Sequence, residues 1–161
     1  MILIGCKNVN EPLSFTSIDY SSHWGFFNSV KILNSGKVYI YYKDFLEDAC
    51  YYYSELNKTQ LDSLSALAAP LYTIKIDSVY KLERDSGRDF GLIIKSEKGL
   101  ISTSYSGPYD GVNGLAPLFK FIEYLDRISD NIRRSGKSGF VFESKKKLER
   151  ILTPPPPLLL Q

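Results

Sequence analysis

The alternation of apolar and polar positions predicts a β-hairpin over residues 26–42. Two alternating segments, 26–33 and 37–42, flank the loop Asn34-Ser35-Gly36. A three-residue loop that ends in glycine is typical of a hairpin whose last loop residue takes a positive φ. The same strand pattern recurs in a second hairpin, 90–106 around Glu97-Lys98-Gly99, and in four further segments, 13–20, 49–56, 71–76 and 79–83. The polar run 84–89 between them is typical of an exposed turn.

Apolar spacing of three and four residues predicts two helices. The first carries the stripe Leu61, Leu64, Leu67 and Ala68, with Thr59 as the expected N-cap, and Pro70 ends it. The second, from 115 to 134, is the strongest helical pattern in the chain, with Pro117 in its first turn and these residues on its apolar face: Leu118, Ile122, Leu125, Ile128 and Ile132.

These elements predict an α+β fold. We expect a single antiparallel sheet built from hairpins, with two helices on one face and the order strands-helix-strands-helix. The 161 residues, 43% of them apolar, suit one domain over residues 11–152. Residues 1–10 form a separate N-terminal segment, and the Pro-rich tail 153–161 cannot join a helix or an inner strand.

The N-terminal segment contains Leu3-Ile4-Gly5-Cys6, which resembles the end of a bacterial lipoprotein signal, where a small residue precedes the lipidated cysteine. A working signal needs a charged start and a longer apolar run. If Met1 is the native start, we expect a cytoplasmic protein whose first residues form a short apolar strand. If sequence precedes it, Cys6 is a candidate lipidation site and the domain is a membrane-anchored lipoprotein.

The sequence contains no coherent catalytic, cofactor-binding or metal-binding constellation. His23 is its only histidine, and its two cysteines define neither a disulfide framework nor a metal site. The glycine-rich stretch 104–117 fits neither phosphate-binding pattern and is better explained as turns before the second helix. A hydrolase remains the alternative, through acidic residues in two polar runs: Asp44, Glu47 and Asp48, or Asp85 and Asp89.

The charge pattern favours no obligatory nucleic-acid partner. The formal net charge is only +2, and the basic run Lys145-Lys146-Lys147 has no interleaved aromatic residues for base stacking. Any binding of nucleic acid through this run should be weak, non-specific and lost as salt rises. A solvated basic face is the simpler interpretation.

Tyrosines are the strongest functional signal, since the chain holds 12 of them. Tyr39 and Tyr41 share one face of a predicted strand, and Tyr51 and Tyr53 lie on a neighbouring segment. These rings either pack as cross-strand pairs or meet a partner. We predict a non-enzymatic protein-binding domain, in particular a bacterial immunity protein that neutralises a toxin. The candidate partner-binding residues are Tyr39, Tyr41, Tyr51 and Tyr53, together with Tyr105, Tyr109 and Asp110 on a predicted loop within the glycine-rich stretch.

Three stretches between Ser21 and Ile128 carry a family resemblance: WGFFNSVKILNSGKVYIYY, LNKTQLDSL and LIIKSEKGLISTSYSG before a terminal helix. In this order they resemble an uncharacterised bacterial α+β family whose members are often lipoproteins. The cysteine pair that many members carry near the first strand is missing, and His23-Trp24-Gly25 stands in that region. The resemblance implies the fold and supplies no catalytic residues.

Overall fold

The protein is built on one β-sheet, seen in a computed structural model that describes residues 14–23, 26–44, 50–83, 87–108 and 112–132. Four strands come first, then helix α1 and a short 3₁₀ helix, then three strands and helix α2. The elements are β1 (Phe15–His23), β2 (Phe26–Leu33), β3 (Lys37–Asp44), β4 (Cys50–Glu55), α1 (Lys58–Ala68), the 3₁₀ helix (Ala69–Tyr72), β5 (Val79–Lys81), β6 (Arg88–Ser96), β7 (Gly99–Gly107) and α2 (Ala116–Asn131).

The seven strands within the described ranges form a single sheet in the order β4-β3-β2-β1-β6-β7-β5, so the predicted single sheet is confirmed. Five of the strands pair only antiparallel, and β7 pairs antiparallel with β6. The exception is β5, which pairs parallel with β7 and corrects the expectation of a wholly antiparallel sheet. The chain passes from β5 to β7 through β6, which lies on the other side of β7.

Both predicted hairpins are present, and their glycines have positive φ angles. Gly36 has a φ of 89° and Gly99 a φ of 120°. The Gly36 amide donates to the Leu33 carbonyl at 2.9 Å and closes the first turn. A Cβ at Gly36 would lie 2.8 Å from the Leu56 carbonyl oxygen, so this position excludes a side chain on two grounds.

The N-cap of helix α1 lies two residues before the expected cap, Thr59. Asn57 is the N-cap: its side chain accepts from the Gln60 amide, and the Gln60 side chain accepts from the Asn57 amide, both at 2.9 Å. This reciprocal pair forms a capping box, so the prediction of Thr59 as N-cap is wrong. After Ala68 the chain tightens into the 3₁₀ helix around Pro70, and the strand predicted over 71–76 is absent.

Both helices pack on one face of the sheet, which we call the helix face. Ser129 Oγ in α2 donates to Asn28 Oδ1 in β2 at 2.8 Å, while Leu64 and Ala68 of α1 are buried in the same core. The predicted apolar stripe of α2 is buried as expected, with Ile132 half-buried after the helix end. Sheet residues on the helix face complete the core: Ile18, Tyr20, Val30, Ile32, Val38, Ile40, Phe90, Leu92, Ile94, Ile101 and Tyr105.

Within the described ranges, neither helix is long and apolar enough to cross a membrane. The predicted N-terminal segment with Cys6 and the Pro-rich tail 153–161 lie outside the residues that the structure describes.

Candidate binding surface

The four tyrosines predicted on β3 and β4 form a cluster on the face opposite the helix face. Register pairs Tyr39 with Tyr53 and Tyr41 with Tyr51. The ring centroids are 5.5 Å apart in the first pair and 5.3 Å in the second, within the range of favourable aromatic contacts. We call these four residues the tyrosine ladder.

The outer half of the tyrosine ladder is exposed. Tyr51 is 38% exposed and Tyr53 is 39% exposed, while Tyr39 and Tyr41 are half-buried. Both interpretations of these tyrosines therefore hold in part, because the rings pair across the strands and still present area to a partner. Rigid aromatic rings that are held in place and exposed are typical anchors of protein interfaces.

Two exposed lysines flank the tyrosine ladder on β3. Lys37 precedes Tyr39 by two residues and lies opposite Glu55, and Lys43 follows Tyr41 by two residues. Spacing by two places all three β3 positions on the same face of the sheet. The surface is therefore an aromatic centre with a positive charge, Lys43, at one end and the cross-strand neighbours Lys37 and Glu55 at the other.

Small hydroxyl residues lie beside the ladder on the inner strands. Ser29 of β2 is the cross-strand neighbour of Tyr41, and its Oγ lies 2.7 Å from Ser21 Oγ of β1. The next pair on the same face is Asp19 and Lys31. Lys31 Nζ lies 3.6 Å from Asp19 Oδ2, and the Asp19 side chain is only 2% exposed. Polar groups on this part of the face therefore contact one another beside the ladder.

Tyr105 is not part of this surface, and its prediction as a loop residue is wrong. It lies in β7 and points to the helix face, where it is fully buried. Its ring stacks on Phe90 at 5.2 Å and meets Phe119 edge-to-face at 5.1 Å, and its hydroxyl donates to the Pro108 carbonyl. The strand continues to Gly107, so alternation carries Tyr105 inward. Tyr109 and Asp110 lie outside the described residues.

A buried charge network on the helix face was not predicted. The Arg88 guanidinium donates to the Tyr20 hydroxyl and to the Asp126 carboxylate of α2. Tyr20 in turn donates to Asp126 Oδ1 at 2.7 Å. The polar run predicts an exposed turn at Arg88, yet Arg88 lies two residues before Phe90 and so continues the inward-facing positions of β6. That spacing was the signal available in the sequence.

Burial controls the protonation of this network. It raises the pKa of the Tyr20 phenol, and the Asp126 charge raises it further. Burial also raises the pKa of Asp126, against the lowering effect of Arg88 and of the bond from Tyr20. The pKa of Arg88 is lowered by burial, but its contacts with Tyr20 and Asp126 outweigh this and raise it overall. The arrangement joins α2 to β1 and β6.

The described carboxylates do not gather at one point. Asp89 lies opposite His23 on β1, and Asp19 lies four residues away along the same strand, about 13 Å at the usual rise. Among the residues described, no three metal-ligating side chains are grouped. The other acids proposed for hydrolysis, Glu47, Asp48, Asp85 and the Asp44 side chain, lie outside the described residues.

No protein-family model matches the chain, and no curated protein matches its sequence. The resemblance to the uncharacterised bacterial family therefore stays a prediction. Function is inferred from the surface itself.

Proposed function

We propose that this protein is a non-enzymatic protein-binding domain that contacts its partner through the tyrosine ladder. The single observation that carries the proposal is the pair of exposed rings, Tyr51 and Tyr53, each held by ring contact with a second tyrosine. Rings that are already positioned lose little conformational entropy on binding, so they suit the centre of an interface.

Within this class, the proposal is a small bacterial immunity protein that binds and neutralises a toxin. The proposed binding surface is a set of aromatic rings, not a cleft with reactive groups. Such a surface suits a protein that inhibits its partner by covering part of the partner's surface. Exposed Lys43 at one end of the ladder favours an acidic group on that toxin, whereas Lys37 already lies opposite Glu55. Proximity of the genes is the first test: a toxin-like reading frame next to this gene supports the proposal.

The decisive experiment measures binding of that neighbouring protein directly. Replacing Tyr51 and Tyr53 with alanine should weaken binding by about 30-fold or more, the effect of removing an interface anchor. Tyr124 provides a matched control, because it is a half-buried tyrosine on α2 whose ring lies 5.7 Å from the Arg127 guanidinium. Tyr124→Ala should leave affinity unchanged. Equal affinity of the double variant and the wild type would contradict the proposed surface.

Inhibition needs its own readout. Co-expression of the chain should restore growth to cells that produce the toxin, and the double variant should restore it less well. If the chain binds the neighbouring protein but growth is not restored, the protein-binding proposal survives and the immunity proposal does not.

The location of the domain depends on Cys6. We propose a cytoplasmic protein, with attachment to a membrane if Cys6 carries lipid. Stable anchoring takes two lipid signals, so a diacylated cysteine would move the protein into the membrane fraction. Mass spectrometry of the native protein and fractionation of cells expressing the native gene distinguish the two locations, and Cys6→Ser is the control.

A further inference from the structure

Strand β4 forms an outer edge of the sheet, and its backbone pattern shows which groups face outward. The Leu56 amide donates to the Gly36 carbonyl at 2.8 Å. In an antiparallel pair, hydrogen-bonded positions alternate along each strand. Cys50, Tyr52 and Ser54 therefore bond to β3, whereas the N–H and C=O groups of Tyr51 and Tyr53 point away from β3, to the outer edge.

The edge lacks the features that usually prevent strands of two molecules from pairing. Strand β4 is six residues long with the sequence CYYYSE, so it holds no proline, no lysine and a single charge. The other edge differs, because β5 has three residues and ends in Lys81. Short edge strands and edge lysines protect sheets from edge-to-edge association. By this criterion only the β4 edge, of the two that the structure describes, is suited to pairing.

We infer that β4 pairs antiparallel with β4 of a second copy of this chain, about a two-fold axis at Tyr52. In this register Tyr51 lies opposite Tyr53 of the second copy, and Tyr53 lies opposite its Tyr51. These are the residues whose backbone groups point outward, so each pair exchanges two hydrogen bonds. The tyrosine-on-tyrosine pairing of β3 with β4 is thereby repeated across the junction, and two ladders become one surface of eight rings.

Charge complementarity supports a second copy as the occupant. Lys43 follows Tyr42, the residue opposite Cys50 within the chain. Glu55 follows Ser54, which this register places opposite Cys50 of the second copy. Glu55 of one copy and Lys43 of the second copy therefore lie in the same row of the joined sheet. Strand β4 of the second copy lies between them, and their Cα atoms are about 10 Å apart. Both side chains are exposed and long enough to meet, and the two-fold axis makes the pair twice.

The pairing closes at two copies because the axis uses the β4 edge of both. An interface made by one strand is at the small end of specific interfaces, so we expect a dissociation constant of about 1–100 µM. Sedimentation equilibrium of the full chain should give twice the 18.3 kDa of one copy at high concentration. A monomer at up to about 200 µM, or growth into higher oligomers, would overturn the inference.

A disulfide trap tests the register. Cys50 forms no disulfide within the described residues. Ser54→Cys places a second thiol opposite Cys50 of the other copy, in a non-hydrogen-bonded pair about 4.5 Å apart at Cα, which a disulfide can span. Within one chain the two cysteines are about 13 Å apart along the strand and cannot join. In a Cys6→Ser background, mild oxidation of Ser54→Cys should therefore give a covalent dimer.

Glu55→Cys is the matched control, because residue 55 lies on the opposite face from Cys50 and should not be cross-linked to it. A dimer that forms in solution but is not trapped by Ser54→Cys would overturn this register. Tyr51→Lys with Tyr53→Lys should weaken the dimer at least tenfold, since lysines would face each other across the junction. Tyr39→Lys, one strand inward, should not. Equal weakening by both would count against the β4 edge. None of these tests uses the toxin, so their failure leaves the proposed function standing.

Discussion

Tyr105 and Tyr53 lie in the same sheet and have opposite roles. Tyr105 is on the helix face, fully buried between Phe90 and Phe119, with its hydroxyl bonded to a backbone carbonyl. Tyr53 is on the opposite face, 39% exposed, and its ring contacts that of Tyr39 at a tilt of 53°. Strand alternation decides which face each ring takes, because successive side chains point to opposite faces. The helix face holds the fold together, whereas the exposed rings of the tyrosine ladder on the opposite face can meet a partner.

A tyrosine on the helix face should contribute much more to the free energy of unfolding than a tyrosine of the ladder. Tyr105→Ala removes a ring packed on every side and leaves a cavity under α2. We expect the free energy of unfolding to fall by about 3–5 kcal/mol, as for other large-to-small core changes. Chemical denaturation monitored by circular dichroism measures it. A loss below about 1 kcal/mol would mean that the two faces do not differ as described.

A second prediction tests the hairpin that carries β3 and the inner half of the ladder. Gly36→Ala should destabilise the protein by about 2 kcal/mol, because a positive φ of 89° is strained for alanine and the new Cβ meets the Leu56 carbonyl oxygen. Gly114→Ala is the matched control, since Gly114 has the same φ of 89° and no atom within 4 Å of the added Cβ. If the free energy of unfolding falls equally in the two variants, the contact of the new Cβ with the Leu56 carbonyl oxygen makes no contribution to the loss.

The hairpins, the long helix and the ladder could be predicted because each depends on neighbouring residues. Glycine at the end of a three-residue loop defines the turn around Gly36, and alternation alone puts Tyr39 and Tyr41 on one face. The N-cap was missed because Asn57 and Gln60 form a capping box just upstream of Thr59, an equally plausible cap.

What the sequence did not predict depends on residues far apart in the chain. Arg88 is buried because Tyr20 and Asp126, 68 and 38 residues away, supply its partners. The parallel β5 follows from its hydrogen bonds to β7, and residues 77–78 beside it are held by Thr103 and Ser104. Tyr105 was misplaced because Gly107-Pro108 predicts a turn, while the strand continues to Gly107.

A third prediction concerns the charge network on the helix face. Tyr20→Phe removes a hydroxyl that donates to Asp126 and accepts from Arg88, and should cost about 1 kcal/mol near neutral pH. The pH dependence should also change. Burial keeps the folded pKa of Tyr20 above its unfolded value of about 10, so the unfolded chain loses this proton first. Stability from Tyr20 is therefore present below pH 10 and falls as pH rises above it.

Denaturation curves at several pH values from 8 to 11 provide the measurement. Wild type should lose up to about 1.4 kcal/mol per pH unit more than Tyr20→Phe above pH 10. The pKa of Tyr72 is also raised by burial, but that residue is present in both proteins and cancels in the difference. Parallel curves for the two proteins would contradict the role given to Tyr20.

The smallest expected effect on stability is on the other face. Tyr53→Ala removes one ring contact and a ring that is already 39% exposed, so the free energy of unfolding should change by only about 0.5 kcal/mol. The same variant should weaken binding of the proposed partner, because a residue that contributes little to the fold can still anchor an interface. Equilibrium denaturation and a binding titration on one protein sample separate the two effects.

The denaturation must be measured at a protein concentration well below the dimer dissociation constant, since dimerisation through β4 would add apparent stability to the wild type. A loss of several kcal/mol under those conditions would place Tyr53 with Tyr105 as a residue of the core, and the contrast between the two faces would no longer hold.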